Sequence, residues 1–276
     1  MTEVDLSAVG HTAVLTVRAR AEEHRRKDRL FEDPVAETWS QALPWSAAHD
    51  EWYSDFAQAK TAIRAAQFDE IAQAKLQIDP NLTIVELGCG FSTRYERLGR
   101  PTHYFELDRP DVMAARAVLS PERSGPTELS ASVLDEDWFD AVEVSGPALL
   151  IAEGLLYYLP RPDVEALFAR LRRRFPGALV IFDVIGPFDF PKSVAASTKF
   201  GAPILWMVEP SFEAAYSMFG LEPDGEFDSK VVLQRTVDAF SGRFGPLMGG
   251  LLRGLASVRP LANLRSGIVV GRLRPD

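Results

Sequence analysis

Residues 83–108 read TIVELGCGFSTRYERLGRPTHYFELD, and the chain on either side is built around them. Ile84, Val85 and Leu87 form an apolar run of strand length, Gly88 and Gly90 break it, and a helix-compatible segment follows. A second strand from His103 to Leu107 then ends at Asp108. This is half of a nucleotide-binding α/β unit. Glycines at the carboxyl end of a buried parallel strand let backbone approach a ligand that a Cβ would repel, and an acid about 20 residues on can bond both hydroxyls of a ribose. Asp108 stands where that acid belongs. A dinucleotide fingerprint wants a third glycine three positions after the second, whereas Gly90 is followed by Phe91, Ser92 and Thr93. The pyrophosphate cradle is therefore weak, and a ligand with a ribose but no phosphate, such as S-adenosylmethionine, fits better.

Composition bounds the rest. The chain has 276 residues, 46% of them hydrophobic, enough for one large α/β domain with additions. A formal net charge of -9 removes the broad positive field that draws nucleic acid or an anionic membrane. No stretch approaches the apolar length of a membrane span, and the start MTEVDLSAVGHTAV lacks a basic n-region and an apolar h-region, so a soluble cytoplasmic protein is expected. A single cysteine, Cys89, excludes an intramolecular disulfide; set between two glycines, it reads as a small residue in tight space. His11, His24, His49 and His103 are scattered without ligand spacing, so no metal site is expected.

Residues 1–80 carry no strand pattern and read as an N-terminal helical extension to the domain of residues 81–276. Ala13, Val14, Val17 and Ala21 keep helical spacing, and EEHRRKDR after them reads as a solvated helix end. Asp33 and Pro34 supply an N-cap and a first-turn proline for a short helix. A polar, aromatic break from Leu43 to Trp52 precedes a long helix, Tyr53 to Leu76, with Arg64 alone among apolar neighbours. Beyond Thr83 strands and helices alternate, the pattern of a mostly parallel sheet covered on both faces. Strands are predicted at Ile84–Leu87, His103–Leu107, Glu128–Val133, Ala148–Ala152 and Ala178–Val184. Helices between them are predicted at Ser92–Leu98, Pro110–Leu119, Trp138–Val144 and Pro162–Phe175. In such a sheet the ligand lies outside the carboxyl ends of the strands, so Gly88, Asp108, Ser132, Val133 and Glu153 converge. Residues 186–220 interrupt the alternation with an aromatic, Pro- and Gly-containing insertion, read as a helical cover after the fifth strand. GLEPDGEF and SGIVVGRLRP are then two antiparallel closing strands, separated by a helical region from Val231 to Val258.

VELGCGFSTRYERL, HYFELDRPDVMAARAVL and LLIAEGLLYYLPRPDVEALFARL, in that order, resemble the leucine carboxyl methyltransferase superfamily, including the bacterial polyketide O-methyltransferases of the tetracenomycin carboxyl methylase type. RARAEEHRRKDRLFEDPVA is similar to that family's N-terminal pattern. The resemblance spans roughly residues 10–185 and implies a class I methyltransferase, Rossmann-like fold with S-adenosylmethionine as cofactor. It makes Arg64 the partner of the methionine carboxylate, sets Gly88, with Cys89 and Gly90, against the methionine portion, gives Asp108 the ribose and brings Glu153 to the amino group. Where the family has Asp-Leu against adenine, this chain has Ser132 and Val133, with Asp135 three residues on. A hydroxyl bonds the adenine amino group less strongly than a carboxylate.

Methyl transfer from a sulfonium is an in-line displacement that gains most from alignment and exclusion of water. A carboxylate acceptor is ionised at neutral pH and needs no base, whereas a phenol does. No base is evident: His11 and Tyr157 are the candidates, and neither is placed by the sequence. The reading is therefore an O-methyltransferase acting on a carboxylate, or else a hydroxyl, of a small secondary metabolite such as a polyketide. A protein C-terminus is the alternative acceptor. Tyr157, Phe188, Trp206 and Tyr216, with Tyr158, are the candidate pocket aromatics, and Arg243 is a cation for an anionic acceptor or else a solvated side chain. An NAD-dependent oxidoreductase would reuse Gly88, Gly90 and Asp108 but lacks the third glycine and a YxxxK pair; a non-catalytic nucleotide-binding regulator would keep the cofactor residues alone. Oligomeric state is not legible.

Overall fold

The structure is a computed structural model describing residues 8–144, 146–209, 214–227, 229–257 and 266–275. Four helices come first: α1 (Ala8–Arg25), α2 (Pro34–Ala42), α3 (Ala47–Trp52) and α4 (Asp55–Ile78). The alternating region follows as β1 (Thr83–Leu87), α5 (Arg94–Arg97), β2 (Tyr104–Asp108), α6 (Pro110–Leu119), β3 (Thr127–Ser130), α7 (Asp137–Ala141), β4 (Ala148–Ala152), a 3-10 turn at Leu156–Tyr158, α8 (Arg161–Arg174) and β5 (Leu179–Val184). Then come α9 (Phe190–Lys199), α10 (Ala214–Phe219), β6 (Leu221–Pro223), α11 (Ser229–Phe244), α12 (Pro246–Ser257) and β7 (Gly267–Leu273). The sheet has seven strands in the order β3-β2-β1-β4-β5-β7-β6. Strands β1 to β5 pair in parallel, and β7 runs antiparallel to both β5 and β6. This is the doubly wound class I arrangement that the alternation implied, and its switch point lies between β1 and β4.

The central strands are buried at every position because helices cover both faces, which is why they read as continuous apolar runs. One face packs on α7, α8 and α10 through Trp138, Leu167, Phe168 and Phe219. The other packs on α4 through Phe68, Ile71 and Ala72. Predicted and observed elements differ at three places. The stretch expected as a break contains α3, begun by Ser46 and held at its start by His49, whose Nδ1 accepts from the Ser46 amide at 3.0 Å. β3 stops at Ser130 rather than Val133, because it is the exposed edge strand and nothing beyond β2 extends its pairing. The charged run at the end of α1 is not simply solvated: Glu23 is fully buried and takes both Arg243 guanidinium nitrogens, at 2.9 and 3.0 Å. That pair also removes Arg243 from the acceptor candidates, since its side chain is only 7% exposed and committed to Glu23. Residues 258–265, including Val258 and part of the expected final loop, lie outside the described residues. No helix among the described residues is long and apolar enough to cross a membrane.

Candidate active site

A cavity of about 560 Å³ opens at the carboxyl ends of β1, β2, β4 and β5. Arg64, Gly88, Cys89, Gly90, Asp108, Ser132, Val133, Glu153 and Tyr157 all line it, so nine candidates spread over some 90 residues of sequence meet in one place. Gly88 adopts φ +63°, and a Cβ there would stand 2.7 Å from the Leu155 side chain. Only glycine meets both demands at once. Asp108 closes the loop that Gly88 starts: its Oδ2 accepts the Gly90 amide at 2.6 Å and its Oδ1 accepts the Arg109 amide at 2.7 Å. Burial raises the Asp108 pKa against these two bonds, yet each oxygen keeps acceptor capacity toward the cavity. Cys89 is buried with its sulfur 3.9 Å from that of Met113, and burial pushes its thiol pKa well up, which makes it a packing group rather than a nucleophile.

Charge concentrates at the ends of β4 and β5. The Arg64 Nε donates to Glu153 at 2.9 Å and its Nη1 to Asp183 at 2.9 Å. Asp183 also accepts the Gly154 amide at 2.6 Å and the Tyr157 hydroxyl at 3.3 Å. Arg94 donates to Glu153, to Glu86 and, at 2.8 Å, to Asp69. Burial alone would raise the Glu153 pKa, but Arg64 and Arg94 outweigh it and bring the value down to about 2. Burial likewise opposes the Arg64 charge, and Asp183 and Glu153 more than restore it. The network continues outward: Arg97 joins Asp69 to Asp33, and Arg20 of α1 joins Asp33 at 3.1 Å to the Phe91 carbonyl at 2.6 Å. The N-terminal helices are thus hydrogen-bonded to the glycine loop itself.

Several placements depart from the sequence reading. Phe188 is 63% exposed and does not line the cavity. Trp206 donates its Nε1 to the Leu159 carbonyl and packs on Phe219, and Tyr216 donates to the Val270 carbonyl at 3.3 Å; neither reaches the cavity. Both fill the core beneath the sheet face that α8 and α10 cover. The inserted segment does reach the cavity, through Ser193, Ser197, Phe200 and Ile204. Glu106, two residues before Asp108 on β2, is fully buried against Arg116 and Arg123 and does not line the cavity. Ser132 and Val133 line the cavity, while Asp135 turns back to accept the Ser132 amide at 2.9 Å. Tyr157 is buried, and its raised pKa, from burial first and Asp183 second, keeps it a hydroxyl. The His11 side chain lies outside the described residues, and no described histidine lines the cavity. No group of His, Cys, Asp and Glu suited to a metal ion occurs among the described residues.

Two groups were missed. Asp183 was legible as an acid interrupting the apolar run ALVIFDVIG near a strand's carboxyl end, the same signal that marked Glu153. Residues of α4 and α11 (Phe56, Lys60, Val237 and Phe240) form the outer wall, and helical periodicity alone does not tell which apolar face meets a cavity.

The model of the leucine carboxyl methyltransferase family matches residues 12–172. The tetracenomycin polyketide synthesis O-methyltransferase TcmP of Streptomyces glaucescens is 33% identical over 195 residues, which cover 67% of this chain and 69% of that protein. A Mycobacterium bovis protein with the provisional name of an S-adenosyl-L-methionine-dependent methyltransferase is 34% identical over 185 residues, covering 59% of this chain and 61% of its own length. Among solved structures, a DUF574 family protein from Streptomyces avermitilis shares the fold, with a TM-score of 0.57 at 15% identity over 96% of this chain and 97% of that one.

Proposed function

The chain belongs to the leucine carboxyl methyltransferase family, and from that premise we propose that it methylates a carboxylate oxygen of a small-molecule acceptor. Its methyl donor is S-adenosylmethionine. Membership sets aside the oxidoreductase reading. The residues fit that donor: Gly88 and Gly154 both have positive φ, and Gly154 lies beside the Arg64 Nη2, 3.5 Å from where a Cβ would stand. Arg64 has spent two of its N–H groups on Glu153 and Asp183, and its Nη2 edge beside Gly154 suits the methionine carboxylate. Glu153, ionised far below neutral pH, suits the amino group, Asp108 the ribose hydroxyls, and Ser132 and Val133 the adenine. Bound there, S-adenosylmethionine supplies a sulfonium methyl whose bond to sulfur breaks, the electron pair returning to sulfur, as the acceptor oxygen bonds to carbon.

One observation carries the choice of a carboxylate: among the described residues no histidine lines the cavity, and the carboxylates at the strand ends are already hydrogen-bonded, Asp108 to two backbone amides. Glu153 is held near 2 by two arginines, Asp183 accepts from Arg64, Gly154 and Tyr157, and Tyr157 keeps its own proton. An acceptor that arrives ionised requires only alignment and exclusion of water, which the buried floor and the α9 wall favour. A cavity of about 560 Å³ shared by donor and acceptor suits a small molecule. Labelled methyl donor offered with paired aromatic acids and phenols tests this. The expected product carries base-labile ester label, formed at a rate flat between about pH 6 and 9 because the acid is ionised throughout. A base-stable aryl ether, formed faster as pH climbs toward about 10, refutes it.

A further inference from the structure

Six cations line the cavity: Arg20, Lys60, Arg64, Arg94, Arg97 and Arg109. Five have a carboxylate partner, namely Asp33, Glu153 with Asp183, Glu86, Asp69 and Asp111. Lys60 has none: among the described residues its ammonium makes neither a hydrogen bond nor an ion pair. Lys60 is exposed, so its ammonium is open to a ligand. Lys60 sits on α4 one turn before Arg64, and i and i+4 share a helix face, so it stands about 6 Å further out along the wall that carries the buried network. Around it the wall is apolar. Phe56, 52% exposed, stacks on Phe240 of α11 with ring centroids 5.2 Å apart, and Ile63, Val237 and Phe240 complete the surround. An exposed Phe56 ring, backed by the buried Phe240, beside a lone cation at an otherwise charge-neutralised cavity is what an acid with an apolar body would occupy.

We propose that Lys60 is the residue that captures the acceptor's carboxylate and distinguishes the acid from its methyl ester. This rests on the carboxylate reading above. Methylation removes the acceptor's charge, so the attraction to Lys60 is present on entry and lost in the product. Lys60 thereby acts on acceptor binding and on product release. It does not touch the methyl group, and pairing with the ground-state anion gives no advantage in a transition state where that charge is being lost. A change here raises KM for the acid and does not lower kcat.

Direct binding separates this from the broader reading. The probe is the fluorescent anthracene-2-carboxylate, compared with anthracene-2-carboxamide and the methyl ester, added to the full chain saturated with S-adenosylhomocysteine. The wild type is expected to bind the acid better than either neutral probe, and to lose that preference as salt rises. Lys60→Gln should weaken the acid by roughly fivefold, the effect of a rim ion pair worth about 1 kcal/mol, and leave both neutral probes unchanged. Lys60→Glu should weaken the acid further, and Lys60→Arg should restore it. The proposal is overturned if the wild type does not prefer the acid, or if Lys60→Gln weakens acid and amide alike, which marks a packing role. Titration calorimetry with S-adenosylhomocysteine runs in parallel: a chain that fails to bind it sinks the methyltransferase reading, whereas intact cofactor binding with an acid affinity indifferent to Lys60 sinks only this inference.

Discussion

Replacing Glu153 by Gln tests whether the buried network is as strongly coupled as its geometry says. Glu153 accepts from Arg64 at 2.9 Å and from Arg94, its side chain is 15% exposed, and its pKa is held down at about 2. Against an ordinary glutamate near 4.5, the depression to about 2 corresponds to about 3 kcal/mol of stability at neutral pH. The sign follows from the depressed value: the folded state holds the carboxylate more readily than the unfolded chain. The contribution is therefore complete above about pH 5 and is lost as pH falls toward 2, with about 2 kcal/mol gone by pH 3. Glu153→Gln keeps the shape and one acceptor oxygen but has no proton to gain. Denaturant unfolding of both proteins between pH 7 and pH 3 gives the difference directly, and other acids whose pKa values fall on folding, such as Asp33 and Glu106, cancel in it. The variant should be less stable at pH 7 by roughly 2 to 4 kcal/mol, with the gap closing as pH drops. A gap that stays constant with pH would show that Glu153 titrates alike in both states and that the ion pairs contribute no net coupling.

Asp108→Ala should weaken S-adenosylhomocysteine by at least roughly tenfold in titration calorimetry, the effect of a lost charged hydrogen bond worth about 1.5 to 3 kcal/mol. Unchanged affinity removes Asp108 from the ribose, and Glu106 cannot replace it because Arg116 and Arg123 hold it in the core. Arg64→Ala should weaken S-adenosylmethionine far more than adenosine, since only the former presents a carboxylate to the Nη2 edge. Equal losses for the two ligands would mean that Arg64 serves only to neutralise Glu153 and Asp183.

The legible parts of this chain are those in which local chemistry and tertiary role coincide. β1 and β4 could be read because full burial demands an unbroken apolar run, and Gly88 and Asp108 because a backbone turn and a ribose each require one residue type at one place. The aromatic residues were misread for the opposite reason. Trp206 and Tyr216 look alike whether they line a cavity or fill the core, and only the direction of the Cα–Cβ bond decides. Pairings across long separations were hidden altogether: Glu23 and Arg243 are 220 residues apart, and a charged run of that composition is solvated in most settings.

The same limit bears on how the N-terminal helices belong to the site. By sequence they are an addition placed before the first strand, with charges that look superficial. In the structure Asp33 is both the N-cap of α2, accepting the Ala36 amide at 2.9 Å, and the acceptor for Arg20, Arg97 and Thr93. One carboxylate thus fixes the start of a helix and the segment after the glycine loop together. From there charge alternates inward through Arg97, Asp69 and Arg94 to Glu153 at the cavity floor. Each member is buried or nearly so, and an uncompensated charge there is costly, so the chain cannot lose an inner member without displacing its neighbours. The position of Glu153 is in that sense set from α1 and α2 as much as from β4. The first 80 residues act on the site through this network as well as through Thr12 and Thr16 on the cavity wall.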